Sequence, residues 1–492
     1  MTDYHIKETD INRRKEGCFM VFYDEFGKYG DKKAFISEEE SITYAEIEEN
    51  AKKMGEEIPR SSLVIQFCDN SVGSAGGYLG FLFNNVVPIL LNTHIDDELA
   101  GHLLEVYQPD YIYVPDKIKD KYAEFTSVYE AYHYSLLKTN YKYDHKLNGD
   151  LALLLTTSGS TGSPKLVRQS YRNIQANAES IVKYLELDKT EKPITTLPMN
   201  YTYGLSIINS HLLVGATILL TNRTLMEREF WDFFKEQETT SFGGVPYTYE
   251  ILKKLRFLKM DLPSLRTMTQ AGGKLSTELH KEFAEYAKEK GRHFVVMYGQ
   301  TEATARMGYL PHEKALEKYG SMGIAIPGGK LFLIDVDGKI IEEPEVVGEL
   351  VYEGPNVTLG YAECAGDLEK GDERHGILET GDMAKRDADG FLYIVGRKKR
   401  FLKIFGNRVN LDETERMIKA KFQNMDCACA GVDDCLKIFI TSDDEDKKAK
   451  VKSFLSEKMG LHPTAFAVQF IPEIPKNEAG KIQYIKLEMY YK

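Results

Sequence analysis

Four short runs in this 492-residue chain combine side chains that chemistry needs in close order. The run Thr157-Ser158-Gly159-Ser160-Thr161-Gly162-Ser163-Pro164-Lys165 follows the apolar stretch LALLLT and gathers hydroxyls, glycines and a cation. A polyphosphate needs that combination: many donors, backbone that approaches closely, and a positive charge. A flexible Ser/Gly turn has the same composition. The spacing is not GxxxxGK(S/T), which speaks against a P-loop nucleotidase. The run Tyr298-Gly299-Gln300-Thr301-Glu302 closes the apolar strand FVVM. Its tyrosine can stack on a purine, its threonine can bond a phosphate oxygen, and its glutamate offers a hard oxygen ligand for magnesium. A strand-end turn with a capping Thr and Glu is the plainer reading. Thr380-Gly381-Asp382, with Gly396-Arg397 fourteen residues beyond the aspartate, suits a ribose diol and a phosphate, or a surface ion pair. The turn-rich Pro475-Lys-Asn-Glu-Ala-Gly-Lys481 ends in a lysine; alone it reads as an exposed loop.

The elements that must hold these runs are legible from periodicity. Amphipathic helical patterns such as TYAEIEENAKKMGEEI alternate with short apolar runs such as SSLVIQFC, VVPILLN and DYIYVP. That order predicts βαβ units and a mostly parallel sheet, whose strand-end loops collect ligands. From about Pro327 the texture becomes short β-rich pieces, with hairpin signals at Asp337-Gly338 and Asp389-Gly390. The last ~90 residues read as a small α+β unit. The predicted fold class is α/β: a large N-terminal domain (1–398) with parallel βαβ subdomains and a β-rich subdomain, then a small mobile C-terminal domain (399–492).

Composition narrows the partners. The chain is 42% hydrophobic and 28% charged with a formal charge of -12, which argues against a general binder of nucleic acid or anionic membrane. Six scattered cysteines (Cys18, Cys68, Cys364, Cys427, Cys429, Cys435) lack paired CxxC spacing, so reduced thiols in the cytoplasm are expected. The charged start MTDYHIKETDINRRKEG has no apolar core of a signal peptide. The most apolar stretch, Gly76 to Leu91, is too short to span a bilayer and is broken by Asn84 and Asn85, so a buried helix followed by a strand is predicted.

Taken together and in order, the four runs resemble those of the adenylate-forming, AMP-binding enzyme family: acyl-CoA synthetases, peptide-synthetase adenylation domains and firefly luciferase. The resemblance covers nearly the whole chain, from ITYAEIE near position 45 to Lys481. It implies that Thr157, Ser158, Gly159, Ser160, Thr161, Gly162 and Lys165 wrap the β- and γ-phosphates of ATP. Ala271, Gly272, Gly273 and Lys274 would border the adenine and the substrate carbonyl. Tyr298, with Gly299 and Gln300 beside it, would stack on adenine, Thr301 would contact the α-phosphate, and Glu302 would hold Mg2+. Asp382 would bind the ribose, with Arg397 close by. Lys481 would bridge the nucleophilic carboxylate and the α-phosphate, and Lys399 would be the hinge about which the small domain turns.

The implied reaction is ATP-dependent activation of a carboxylic acid to an acyl adenylate, followed by transfer to a thiol. The acceptor would be coenzyme A or, as a close rival, phosphopantetheine on an acyl carrier protein; a non-catalytic nucleotide-binding scaffold is the alternative of another class. Two positions depart from the pattern. Leu166 stands where most relatives have glycine. The run Pro198 to Gly204 follows the pattern in which a histidine or aromatic residue gates the acyl pocket, a place that Tyr201 takes, with Gly243, Gly244 and Val245 lining the same pocket. Thr202 stands where amino-acid-activating members carry aspartate, which favours a simple organic acid over an α-amino acid. In the basic run Arg397 to Lys403, Lys398 and Arg400 suggest attraction of an anionic acceptor, or mere solvation of a loop.

Overall fold

A computed structural model describes residues 22–141, 146–156, 165–405, 407–422, 425–432, 434–476 and 482–490. Its chain forms two compact units, Met1–Leu331 with Tyr352–Leu378, and Phe332–Val351 with Glu379–Lys492.

The first unit is built on two sheets. One runs Ile324–Ala325, Gly308–Tyr309, His293–Tyr298, Thr267–Gln270, Ser241–Gly244, Pro193–Ile194, Ile218–Leu219, Lys33–Ile36, Ser41–Thr43. Its strands from His293–Tyr298 through Lys33–Ile36 are parallel, and both edges are antiparallel. The other runs Gly360–Ala362, Leu166–Ser170, Leu151–Thr156, Val87–Asn92, Leu63–Cys68, Tyr111–Pro115, Tyr134–Lys138, Thr126–Ala131. Here too a parallel centre is flanked by antiparallel pairs. The mostly parallel architecture read from the sequence is therefore present, with hairpins added at the edges.

Helices cover these sheets for reasons visible in their residues. Helix Tyr44–Glu57 starts at Thr43, whose hydroxyl accepts from the Glu46 N–H while the Glu46 carboxylate accepts from the Thr43 N–H. Its Ile47, Ala51 and Met54 recur at helical spacing and are buried. Helices Val72–Phe83 and Thr202–Leu213 are buried on every side, as expected of helices without a charged face. They share a core with Phe35 and Ile218 of one sheet and Leu90 and Leu153 of the other. Each such large apolar side chain contributes about 1.5–3 kcal/mol by leaving water. The Tyr78 hydroxyl donates to Asn209 Oδ1 at 3.1 Å and satisfies the polar atoms between the two helices. The predicted helix-then-strand over Gly76 to Leu91 is observed, and Asn84 is its stop: the side-chain amide donates to the carbonyls of Ala51 and Gly80.

Residues 330–397 contribute a five-stranded sheet in the order Ile340–Ile341, Lys330–Ile334, Val347–Glu353, Ile377–Arg386, Leu392–Arg397. Both expected hairpin turns are present, with Gly338 at φ +79° and Gly390 at φ +89° in the left-handed region that glycine supports. Beyond them, the second unit has a hairpin (Phe401–Ile404, Asn407–Asn410) and a three-stranded sheet of Cys427–Val432, Cys435–Ile440 and Phe466–Phe470. Helices Leu411–Lys421 and Glu445–Met459 bury Ile418, Val451 and Leu455 in the same core as Ile438 and Phe466. Cys68, Cys364, Cys427, Cys429 and Cys435 are free thiols; Cys18 lies outside the described residues. Among the described residues no helix is long and apolar enough to cross a membrane.

Candidate active site

Strands Leu151–Thr156 and Leu166–Ser170 pair antiparallel, with Thr156 opposite Leu166. The run 157–165 thus connects a hairpin, a different setting from the strand-to-helix turn of a P-loop. Thr157, Ser158, Gly159, Ser160, Thr161 and Gly162 lie outside the described residues. Lys165 stands at the foot of the connection, its Nζ 3.7 Å over the Tyr361 ring and 3.9 Å from the Glu363 carboxylate. Leu166, at the position of the family's glycine, is fully buried at the start of its strand, opposite Ala362.

Two residues further on, Arg168 is completely buried and fastens the neighbouring segment in place. Its Nε donates to the Tyr361 carbonyl at 3.0 Å, Nη2 to the Leu359 carbonyl at 3.1 Å and to Glu373 Oε2 at 2.5 Å, and Nη1 to the carbonyls of Lys370 and Gly371. A buried guanidinium is tolerated when its donors are met in this way. The consequence is a fixed Tyr361.

Tyr298 ends the strand His293–Tyr298, and its hydroxyl accepts from Gln300 Nε2 at 3.3 Å. Gly299 is required: a Cβ there would lie 1.4 Å from the Ala305 carbonyl oxygen. Thr301–Ala303 form one 3-10 turn, after which Thr304 and Ala305 take positive φ. Such strain persists only when the surroundings over-determine it. Asn356 supplies that, donating to the carbonyls of Ala303 at 2.7 Å and Arg306 at 2.8 Å while accepting from the Tyr352 hydroxyl. The Glu302 carbonyl accepts from both the N–H and the hydroxyl of Thr358 at 3.0 Å.

The two segments meet at Tyr361, whose hydroxyl donates to Glu302 Oε1 at 2.7 Å. Burial, then the Glu302 carboxylate, raises the phenol above its ordinary pKa, so it remains a donor. The ring faces Lys165 and also the Arg374 guanidinium, 4.7 Å from its centroid. Glu302 Oε2 has no hydrogen-bond partner among the described residues. One carboxylate oxygen without a hydrogen-bond partner among the described residues fits Mg2+, which binds by few carboxylates together with phosphates.

Beside this turn, the ends of three parallel strands form an apolar wall. Ala271, Gly272 and Gly273 follow the strand Thr267–Gln270; the Ala271 N–H donates to the Gly244 carbonyl at 3.1 Å, and Gln270 Nε2 donates to the carbonyls of Ala271 and Gly273. Gly272 has φ +82°, and a methyl there would lie 2.7 Å from the Tyr201 hydroxyl. Tyr201, Val245 and Ala271 belong to one cluster with Tyr203, Ile207, Val295 and Met297. A Cβ on Gly243 would meet Ile207 Cδ1 at 2.8 Å and the Tyr203 hydroxyl at 2.9 Å; one on Gly244 would meet Thr248. The structure therefore brings Tyr201, Gly243, Val245, Ala271 and Gly272 together.

In the second unit, Asp382 and Arg397 are cross-strand neighbours and pair directly, Nε to Oδ1 at 2.7 Å. Asp382 is buried and Arg397 exposed. Lys399 sits in the 3-10 turn Lys398–Arg400; its side chain and all of Lys481 lie outside the described residues. Lys398 and Arg400, suggested as attracting an anionic acceptor, both have acidic partners. Lys398 pairs with Glu349 at 2.5 Å, and Arg400, largely buried, pairs with Asp412 at 2.8 Å and Glu415 at 2.6 Å beneath the Tyr484 ring.

A 570 Å³ cavity also lies in the first unit, lined by Glu38, Glu40, Asp69, Asp116 and Arg223 among others. None of the sequence-predicted site residues lines it, and its acidic rim is ill suited to triphosphate. Tyr361, Arg168 and Asn356 were missed from sequence. Only Arg168 left a signal, a charge in the middle of the strand pattern LVRQS.

Comparison with known proteins agrees with this geometry. The AMP-binding enzyme family matches residues 22–362. The chain is 28% identical over 344 residues to 2-succinylbenzoate–CoA ligase of Bacillus licheniformis, covering 69% of this chain and 70% of that protein. It is 25% identical to the long-chain-fatty-acid–CoA ligase of Escherichia coli over 96% of this chain and 94% of that one. Its fold is similar to O-succinylbenzoate coenzyme A synthetase from Bacillus subtilis in complex with ATP and magnesium ion, with a TM-score of 0.77, 21% identity, and coverage of 95% of this chain and 99% of that one. Because the family match spans well over half of the sequence, the chain belongs to the AMP-binding enzymes.

Proposed function

We propose that the chain couples ATP to the activation of a small carboxylic acid and passes the acyl group to a thiol, with coenzyme A as the acceptor. The observation that carries this reading is the joining of Lys165, Tyr361 and Glu302 at the foot of the hairpin 157–165. A cation for the β- and γ-phosphates and an oriented carboxylate for Mg2+ stand on one ring. When bound, Mg2+ supplies charge neutralisation on the phosphates.

The chain's own residues do the rest. Lys165 and the donors of 157–162 hold the leaving pyrophosphate, Thr301 fixes the α-phosphate, and Tyr298 with Ala271, Gly272 and Gly273 borders the adenine. Tyr201, Gly243, Gly244 and Val245 seat the acid. Its carboxylate, already a nucleophile at neutral pH, attacks the α-phosphorus; the P–O bond to pyrophosphate breaks and the electron pair leaves with it. Lys481 meets the charge as it shifts, an effect that is strong in a water-poor site. Asp382 and Arg397 serve the ribose: the buried carboxylate, held by Arg397, can accept from a diol. For the second step, residues 399–492 turn about Lys399. The thiol sulfur attacks the acyl carbon, AMP departs, and the thiol proton passes to solvent. Free thiols support a cytoplasmic setting.

The test is ATP/pyrophosphate exchange with a panel of aliphatic, aromatic, dicarboxylic and amino acids. Acid-dependent exchange is expected, followed by thioester on adding coenzyme A. Failure of every acid to support exchange would overturn the reading in favour of a scaffold, and transfer only to a carrier pantetheine would reassign the acceptor.

A further inference from the structure

Arg306 is the exception among the buried arginines. Arg168 pairs with Glu373, and Arg400 with Asp412 and Glu415. Arg306, 1% exposed, has only neutral partners among the described residues. Its Nε donates to the Ser206 hydroxyl at 3.1 Å, its Nη1 to the Tyr184 hydroxyl at 3.0 Å and to the Met297 sulfur, and its guanidinium lies 4.4 Å over the Tyr203 ring. Nη2 has no hydrogen-bond partner among the described residues. Among the described residues no neighbour supplies the missing negative charge. Burial raises the Tyr203 phenol to about 12 and lowers His211 to about 4, so both are neutral near pH 7. A buried cation without an anion is costly, and a ligand carboxylate that completes the pair offsets that cost.

Its surroundings say which ligand. Tyr203 and Met297, which contact Arg306, share the cluster that holds Tyr201, Val245 and Ala271. Tyr203 and Ile207 also fill the space beside Gly243, leaving little room for a long alkyl chain. We infer that Arg306 receives a second carboxylate of the acid, so that the preferred substrate is a short dicarboxylic acid, activated at one end and held by the guanidinium at the other. This rests on the acid-activating reading above. Arginine suits the role because its planar fork matches a carboxylate and stays charged when buried.

The test compares exchange kinetics for mono- and dicarboxylic acids of equal, short length in the wild type, R306Q and R306K, with melting temperatures measured alongside. The wild type is expected to favour the best diacid by about 100-fold in kcat/KM, since unpaired buried polar groups discriminate strongly. R306Q is expected to bring that ratio near one, mainly through KM, and R306K to restore part of it. A wild type that uses the monoacid or the matching hydroxy acid equally well, or an R306Q protein that keeps the diacid preference, overturns the inference. Should R306Q not fold, the wild-type preference alone decides. Calorimetric binding of the diacids to wild type and R306Q separates the two readings. A diacid that binds only the wild type without supporting exchange removes the activation reading and leaves the arginine site standing. Exchange with monoacids alone does the reverse.

Discussion

Tyr361 joins the lysine after the hairpin connection to the glutamate of the strand-end turn. Its hydroxyl is the only partner that Glu302 has on Oε1 among the described residues, so it fixes which carboxylate oxygen stays free. A hydrogen bond to a charged group contributes about 1.5–3 kcal/mol. Tyr361→Phe keeps the ring that Lys165 and Arg374 face and removes only that bond. The expected outcome is a rise of about tenfold in the KM for Mg-ATP, with the melting temperature within a few degrees of wild type, read from exchange assays over a magnesium series. An unchanged magnesium dependence would show that Glu302 is held adequately by its backbone bonds to Thr358.

At the scale of elements, the turn after His293–Tyr298 depends on backbone packing that no side chain can replace. Gly299→Ala drives a methyl into the Ala305 carbonyl, and a loss of more than about 3 kcal/mol is expected. Asn356→Ala leaves the carbonyls of Ala303 and Arg306 without their side-chain donor and is expected to cost about 2–3 kcal/mol. Both are measured by denaturant unfolding, with wild-type-like stability of either variant as the contrary result. The same elements show what the sequence made legible. Helix Tyr44–Glu57, the helix-strand pair around Asn84 and the turns at Gly338 and Gly390 follow from capping, periodicity and turn chemistry, all local signals. The candidate site was partly legible because Gly299 through Glu302 are contiguous. Tyr361 and Asn356 were not, because their roles arise from contacts with residues more than fifty positions away, and a single sequence carries no record of such pairs. The antiparallel edges escaped for the same reason. The direction of Leu166–Ser170 is set by the pairing of Thr156 with Leu166.

At the scale of the whole molecule, the proposal assigns two half-reactions to one set of phosphate-binding residues and gives Lys481 to only the first. The stem of its loop is well built within the second unit. Lys476 bridges Ile482, Gln483 N–H donates to the Pro475 carbonyl at 2.8 Å, and Lys476 pairs with Asp426 at 2.5 Å. Tyr484, just beyond, stacks on Arg400 at 3.8 Å, next in sequence to the proposed hinge Lys399. Tyr484, three residues after Lys481, and Arg400, next to the proposed hinge, thus share the Glu415 carboxylate, which suits a piece that turns as one body. The most direct measurement is of the two half-reactions in Lys481→Ala. The expected result is a loss of ATP/pyrophosphate exchange of at least about 100-fold, with thioester formation from supplied acyl adenylate and coenzyme A within a few-fold of wild type. Equal loss of both steps, or exchange that survives, would contradict the account.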